Sequence, residues 1–194
     1  MIIKREKILA YLGKHVSMKR LNHCLGVEET AIRLGFRFGV PEELLIPAAL
    51  LHDLCREYDP DLLLQLADNF DIVIDEIAKA EPLLLHGAVA AAMAKRDMGI
   101  DDPQILEAIE FHITGRANAS IAAKIIFIAD FIEPGRTHAP ASALRKTAFD
   151  RDLDSLLLAV YDQTIYYVVK NGYLIHPHSI SGRNELILKG VKTN

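Results

Sequence analysis

The sequence predicts an all-α fold, a single helical bundle, on three observations. Apolar residues recur at helical spacing along most of the chain, prolines and glycines fall where helices would start and stop, and strand signals are nearly absent. Ile3, Ile8, Leu9 and Leu12 mark a first helix that ends near Gly13. A second runs from about Met18 to Phe38, with Leu21, Leu25, Ile32 and Leu34 towards the interior and Gly39 at the C-cap position. Pro41 suits the first turn of a third helix, which ends in His52-Asp53; Pro47 within it should kink it or shift its start. Pro60 opens a shorter helix through Leu66, and another covers about Ile72 to Ala80. The Ala-rich stretch from His86 to Met98 is a strong helix former that stops at Gly99. Pro103 begins a helix reaching His112, and the almost wholly apolar Ile121 to Ile132 is ended by Pro134-Gly135. The last long helix, Leu153 to Val169, places Leu156, Leu157, Val160, Tyr161, Ile165 and Val168 at helical spacing. Only Tyr173-Leu174-Ile175, after the Asn171-Gly172 turn, reads as a strand. With no internal repeats or low-complexity segments, residues 1–194 form one expected domain: a core over about 18–136 and a C-terminal helical part over 141–190.

Composition narrows the classes of function. Half of the residues (51%) are apolar, ample for a core, and 22 Lys+Arg against 26 Asp+Glu give a net charge of −4. That balance provides no global attraction to nucleic acid or anionic lipid, so an anionic ligand needs a local cationic site. No apolar stretch approaches a membrane span, and Lys4-Arg5-Glu6-Lys7 is a charged helical pattern rather than a signal peptide. A cytoplasmic protein without nucleic-acid or membrane partners is expected. Cys24 and Cys55 form no disulfide framework; each lies beside a candidate ligand, but both read as small buried thiols. The last helix would serve a homodimer or the core equally well.

His52-Asp53 closes the apolar run Leu44 to Leu51, where an imidazole and a carboxylate are costly without partners. A metal cation suits both groups, although an exposed helix end would also accommodate the pair. Six residues share this setting, at or near the end of an apolar helix: His23, His52, Asp53, His86, His112 and Asp130. Asp130 lies in Ile125-Ile126-Phe127-Ile128-Ala129-Asp130-Phe131-Ile132, and an unpaired carboxylate there would protonate or destabilise the fold. Coordination removes that problem, as would a salt bridge to Lys124 or to a distant arginine. Arg20 shares a helix face with His23, three residues on, and could clamp a phosphate beside a ligand. Thr114 and Gly115 could form a tight turn with free backbone N–H groups, followed by Arg116 as a bidentate phosphate donor. Glu133-Pro134-Gly135-Arg136 delivers another arginine near Asp130, and Arg56 follows Asp53 by three residues. Arginines beside ligand-like residues in an acidic chain point to an anionic substrate. His15 and His138 read as surface residues.

The ordered spacing His23, His52-Asp53, Asp130 resembles the HD superfamily of metal-dependent phosphohydrolases. Arg20-Leu21-Asn22-His23, Leu51-His52-Asp53, Leu85-His86-Gly87-Ala88, Phe111-His112-Ile113-Thr114-Gly115-Arg116 and Ala129-Asp130-Phe131-Ile132-Glu133-Pro134-Gly135-Arg136 are similar to the consecutive motifs of the bacterial YqeK family. That resemblance implies a symmetrical dinucleoside-tetraphosphatase, splitting diadenosine tetraphosphate into two ADP with iron or another divalent metal such as manganese, one or two ions. Carried over, His23, His52, Asp53 and Asp130 would be the primary ligands. His86 and His112 would hold a second metal or contact phosphate, Asp130 and Arg136 would lie against the nucleotide, and Gly172, Tyr173, Leu174, Ile175 and His176 would line the base pocket. The chain departs from the family at Arg56, often lysine, and aligns loosely over 171–176.

The expected chemistry is attack of metal-bound hydroxide on a β-phosphorus, with Asp53 at the metal and Arg56, Arg136 and Arg20 stabilising the equatorial oxygens. The alternatives are hydrolysis of a nucleoside mono- or triphosphate on the same scaffold, a non-catalytic nucleotide or metal sensor, and a helical interaction module with structural histidines.

Overall fold

The computed structural model describes residues 3–192. Among them the chain forms eleven α-helices and one short 3-10 turn, and no strand. Helix α1 (Arg5–Leu12) buries Ile8 and Leu12, while Arg5 donates to the buried Glu28 carboxylate at 2.6 and 2.7 Å. Helix α2 (Met18–Phe38) starts where the Ser17 side chain accepts the Arg20 N–H, and stops at Gly39 in the left-handed region (φ 71°). Helix α3 (Glu42–Leu51) takes Pro41 as its N-cap rather than in its first turn, and runs through Pro47, which leaves the Glu43 carbonyl without an intrahelical donor. Helix α4 (Pro60–Asn69) continues beyond the expected Leu66. Helix α5 (Glu76–Ala80) is shorter than the apolar pattern suggested, because the Asp75 side chain caps it by accepting the Ala78 N–H.

A 3-10 turn (Pro82–Leu85) leads directly into α6 (His86–Met98), and α7 (Pro103–Glu110) ends just before His112. Helix α8 (Ile121–Ile132) is followed by α9 (Ala139–Thr147), α10 (Leu153–Lys170) and α11 (Pro177–Leu188). Helices α9 and α11 escape the periodicity, and the expected strand at Tyr173-Leu174-Ile175 is irregular chain. Asn171-Gly172 is a helix C-terminus rather than a hairpin turn: Gly172 has φ 71°, and the Tyr173 N–H returns to the Val168 carbonyl.

Helix α8 lies at the centre, packed against α2, α7 and α10, and α3 packs between α1, α2 and α7. One apolar cluster from Ile8 to Leu186 joins these elements. The consequence for the site is topological. The second turn of α2, the C-terminal ends of α3 and α7, the N-terminus of α6 and the last turn of α8 all reach the same interior point. No helix is long and apolar enough to cross a membrane.

Close helix approach fixes that geometry at Gly87. A Cβ there would stand 2.5 Å from the Glu110 carbonyl oxygen and 3.0 Å from that of Ile109, both rigid backbone of α7. Gly87→Ala is therefore expected to destabilise the fold by about 1–3 kcal/mol through overpacking, despite alanine's better helix propensity. Urea denaturation with a lowered midpoint and unchanged slope would bear this out; an unchanged midpoint would contradict it.

Candidate metal centre

Asp53 is the hub. It is almost fully buried, and its two carboxylate oxygens face two groups of imidazoles. Oδ2 lies 3.4 Å from His23 Nε2 and 3.5 Å from His52 Nε2, and it accepts a hydrogen bond from the Arg20 guanidinium. Oδ1 lies 3.1 Å from His86 Nε2 and 3.5 Å from His112 Nε2. Asp130 Oδ1 closes the first group at 3.0 Å from His23 Nε2. All six predicted residues thus meet at one point, although Asp130 keeps a fifth of its side chain exposed (20%). Its partner is Arg136; Lys124, the other candidate, is 2.7 Å from Asp154 instead.

Backbone carbonyls set the imidazole orientation. The Nδ1–H of His52 donates to Ala49 O and that of His112 to Ile109 O, each at 2.7 Å, and His86 Nδ1–H donates to Leu83 O. A carbonyl only accepts, so each Nδ1 carries a proton and each ring turns its Nε2, the atom left for a ligand, to the interior. His23 makes the same choice with the Glu133 carboxylate at 3.1 Å. The result is Nε2 facing Nε2 at 2.9 Å between His86 and His112, and at 3.3 Å between His23 and His52. Bare Nε2 atoms at such separations repel unless a cation lies between them; at His23 a proton fills that role in the metal-free protein, and a metal would replace it. Metal–nitrogen bonds of about 2.1 Å put neighbouring donors roughly 3.0–3.4 Å apart, which matches these spacings. The donor set fits a divalent metal, either as His23-His52-Asp130 or as His52-Asp53-His112.

Electrostatics agree with the geometry. Burial alone would raise the Asp53 carboxyl, but the surrounding imidazoles of His52, His112 and His23 hold it well below the usual carboxylate range. Asp130 is likewise held low against burial by His23 and Arg136. For His23 burial works downward, and hydrogen bonds to Asp130, Asp53 and Glu133 outweigh it, lifting the metal-free imidazole to about 10. Burial pushes His86 down.

A cavity of about 600 Å³ opens beside the cluster, lined by Arg56, His112, Asp130, Arg136, Tyr167 and Lys170, among others. That volume suits a small-molecule ligand. The structure places the remaining predicted residues differently. Gly115 has no free N–H, because it donates to Phe111 O at 2.7 Å, and its missing Cβ makes room for the Tyr161 hydroxyl. Thr114 donates to Gly115 O and lines a second cavity of about 570 Å³, together with His176. Arg116 stacks on Phe111 (4.7 Å) and lies 3.5 Å from Glu107. Gly172, Tyr173, Leu174 and Ile175 line neither cavity. His138, read as a surface residue, caps α9 and borders the first cavity. Glu133, to which the sequence motif attaches no role, is buried against His23.

Comparisons with known proteins bear on this site. The model of the HD domain family matches residues 20–135. The chain is 33% identical to the symmetrical bis(5'-nucleosyl)-tetraphosphatase of Halalkalibacterium halodurans, over 96% of this chain and 99% of the relative. It is 32% identical to the enzyme of the same name from Staphylococcus aureus, over 95% and 94%. The crystal structure of a predicted HD superfamily hydrolase involved in NAD metabolism from Clostridium acetobutylicum superimposes with a TM-score of 0.91 at 38% identity, covering 97% of this chain and all of that one.

Proposed function

This chain belongs to the HD domain family, and from that premise we propose that it is a metal-dependent hydrolase that cleaves diadenosine tetraphosphate symmetrically into two ADP. The observation that carries the reading is the convergence of four Nε2 atoms and the Asp130 carboxylate around Asp53, beside a cavity with arginines on its wall. His23, His52, Asp53 and Asp130 would hold the primary divalent ion, iron by family likeness. His86 and His112 would complete a second position across the Asp53 carboxylate or meet phosphate. When bound, the metal supplies Lewis acidity and an acidified water near neutral pH.

The protein's own groups do the rest. Carbonyl-locked rings keep the donor set in place without reorganisation. Arg56 and Arg136 on the cavity wall would hold the phosphate chain and stabilise charge on the equatorial oxygens of the attacked β-phosphorus. Arg20, tied to Asp53, brings a further cation to the same edge, and its buried Nε has no protein partner. Tyr166 and Tyr167 provide aromatic surface at the mouth of the cavity. Water adds to one central phosphorus, the bridging P–O bond breaks, and ADP leaves, so substrate plus water balances to two ADP.

Product analysis tests the reading. Incubating the manganese-loaded protein with diadenosine tetraphosphate is expected to yield ADP alone. AMP with ATP, or inorganic phosphate released from nucleoside mono- or triphosphates with no attack on the dinucleotide, would overturn it.

A further inference from the structure

We propose that Glu133 is a positioning residue that aims His23 at the metal-binding cluster, seated there by the absence of a side chain at Gly26; the inference rests on the reading of that cluster as a metal centre. Glu133 is 3% exposed; its Oε1 accepts the Nδ1–H of His23 at 3.1 Å and lies 4.0 Å from Arg136 Nε. The other three histidines use carbonyls three residues earlier in their own segments for this purpose. His23 cannot do so, since it lies in the second turn of a continuous helix whose carbonyls are taken by helical hydrogen bonds. A carboxylate from α8's far end therefore replaces the backbone acceptor.

Its seat is built for it. Gly26 lies one turn along α2 from His23, and a Cβ there would stand 2.5 Å from Glu133 Oε2. The Gly135 N–H donates to Oε2, and the Arg145 guanidinium from α9 donates to the carbonyls of Ile132, Glu133 and Arg136. The turn after α8 is thereby clamped at backbone level, which holds Glu133 opposite His23. Glycine in the middle of a long helix weakens it, so this position gives up helix stability for close approach.

The test uses the full-length protein with selectively 15N-labelled histidine, alongside Mn²⁺ titration. In wild type the His23 Nδ1–H proton is expected to be deshielded and protected from solvent exchange, and to remain protected in Glu133→Gln, whose single amide oxygen still accepts it while the Gly135 N–H loses its acceptor. Glu133→Ala and Gly26→Ala are expected to lose that protected signal and to bind Mn²⁺ about tenfold to a hundredfold more weakly, while Glu133→Gln stays within about threefold of wild type. A His23 proton still protected in Glu133→Ala, Mn²⁺ affinity unchanged in both variants that lose it, or a Gln variant as defective as Ala would each overturn the proposal. Wild-type protein that shows the protected proton but binds no Mn²⁺ refutes the metal centre and, with it, the positioning role; loss of affinity confined to the variants leaves the metal centre standing.

Discussion

Asp53→Ala is expected to abolish hydrolysis and divalent-metal binding together. The two carboxylate oxygens of Asp53 face both imidazole groups. Its Oδ2 serves His23 and His52 while its Oδ1 serves His86 and His112, so removing it opens the donor set on both sides at once. Losing the Lewis acid and the acidified water is expected to lower kcat/KM by at least roughly a thousandfold, about 4 kcal/mol of transition-state stabilisation. Alanine also leaves the partly buried Arg20 without its carboxylate, which costs stability as well as activity. Asp53→Asn separates the two effects, since it keeps the volume and one acceptor oxygen but loses the charge. Metal content after dialysis, together with initial rates, decides the matter. An active, metal-replete Asp53→Asn would contradict the assignment.

The second large effect concerns pH. In the metal-free protein His23 is lifted to about 10, so at neutral pH its ring carries a proton held by Asp130, Asp53 and Glu133. The folded value lies above the unfolded one of about 6.5. This contact therefore contributes stability that is full below about pH 6.5 and is lost as pH rises through about 10. A metal needs the same Nε2 bare, so binding must release that proton. Mn²⁺ affinity is expected to rise close to tenfold per pH unit between about 7 and 9, or about 1.4 kcal/mol per unit. At a hundredfold excess over Kd the ion should add about 2.7 kcal/mol of stability, seen as a raised Tm. The metal-induced gain in Tm should therefore grow with pH while the metal-free Tm falls. A gain independent of pH across this range would show that His23 does not exchange its proton for the ion.

Much of the arrangement is legible in the residues, and the gaps have physical causes. Helices α2, α6 and α8 match their expected bounds because strong punctuation coincides with the period: Gly39 and Gly99 in the left-handed region, Ser120 capping α8. Helices α9 and α11 do carry a first-turn proline, Pro140 and Pro177, but no residue of the usual Ser, Thr, Asp or Asn type precedes it as a cap. Each is capped by a histidine ring nitrogen, from His138 and His176, and α11 contains Gly182, where the Tyr161 hydroxyl packs. Polar groups stranded in apolar segments made the six clustered residues visible, since burial without a partner is costly wherever it occurs. Glu133 gave no comparable signal, because an acidic residue before Pro-Gly looks like an ordinary turn. The Thr114-Gly115 turn misled for a related reason. Its glycine answers a packing demand from Tyr161, which is distant in sequence and invisible to any helix or turn pattern, and its N–H is spent on Phe111.

The central claim, that four imidazoles and two carboxylates close around a divalent ion, is tested most directly by crystals grown with Mn²⁺ and ADP and measured for anomalous scattering. The account predicts an anomalous peak about 2.0–2.3 Å from His23 Nε2, His52 Nε2 and carboxylate oxygens of Asp53 and Asp130, with ADP density in the cavity bordered by Arg56 and Arg136. A fully formed cluster with no anomalous peak, or a peak bound elsewhere on the protein, would contradict it.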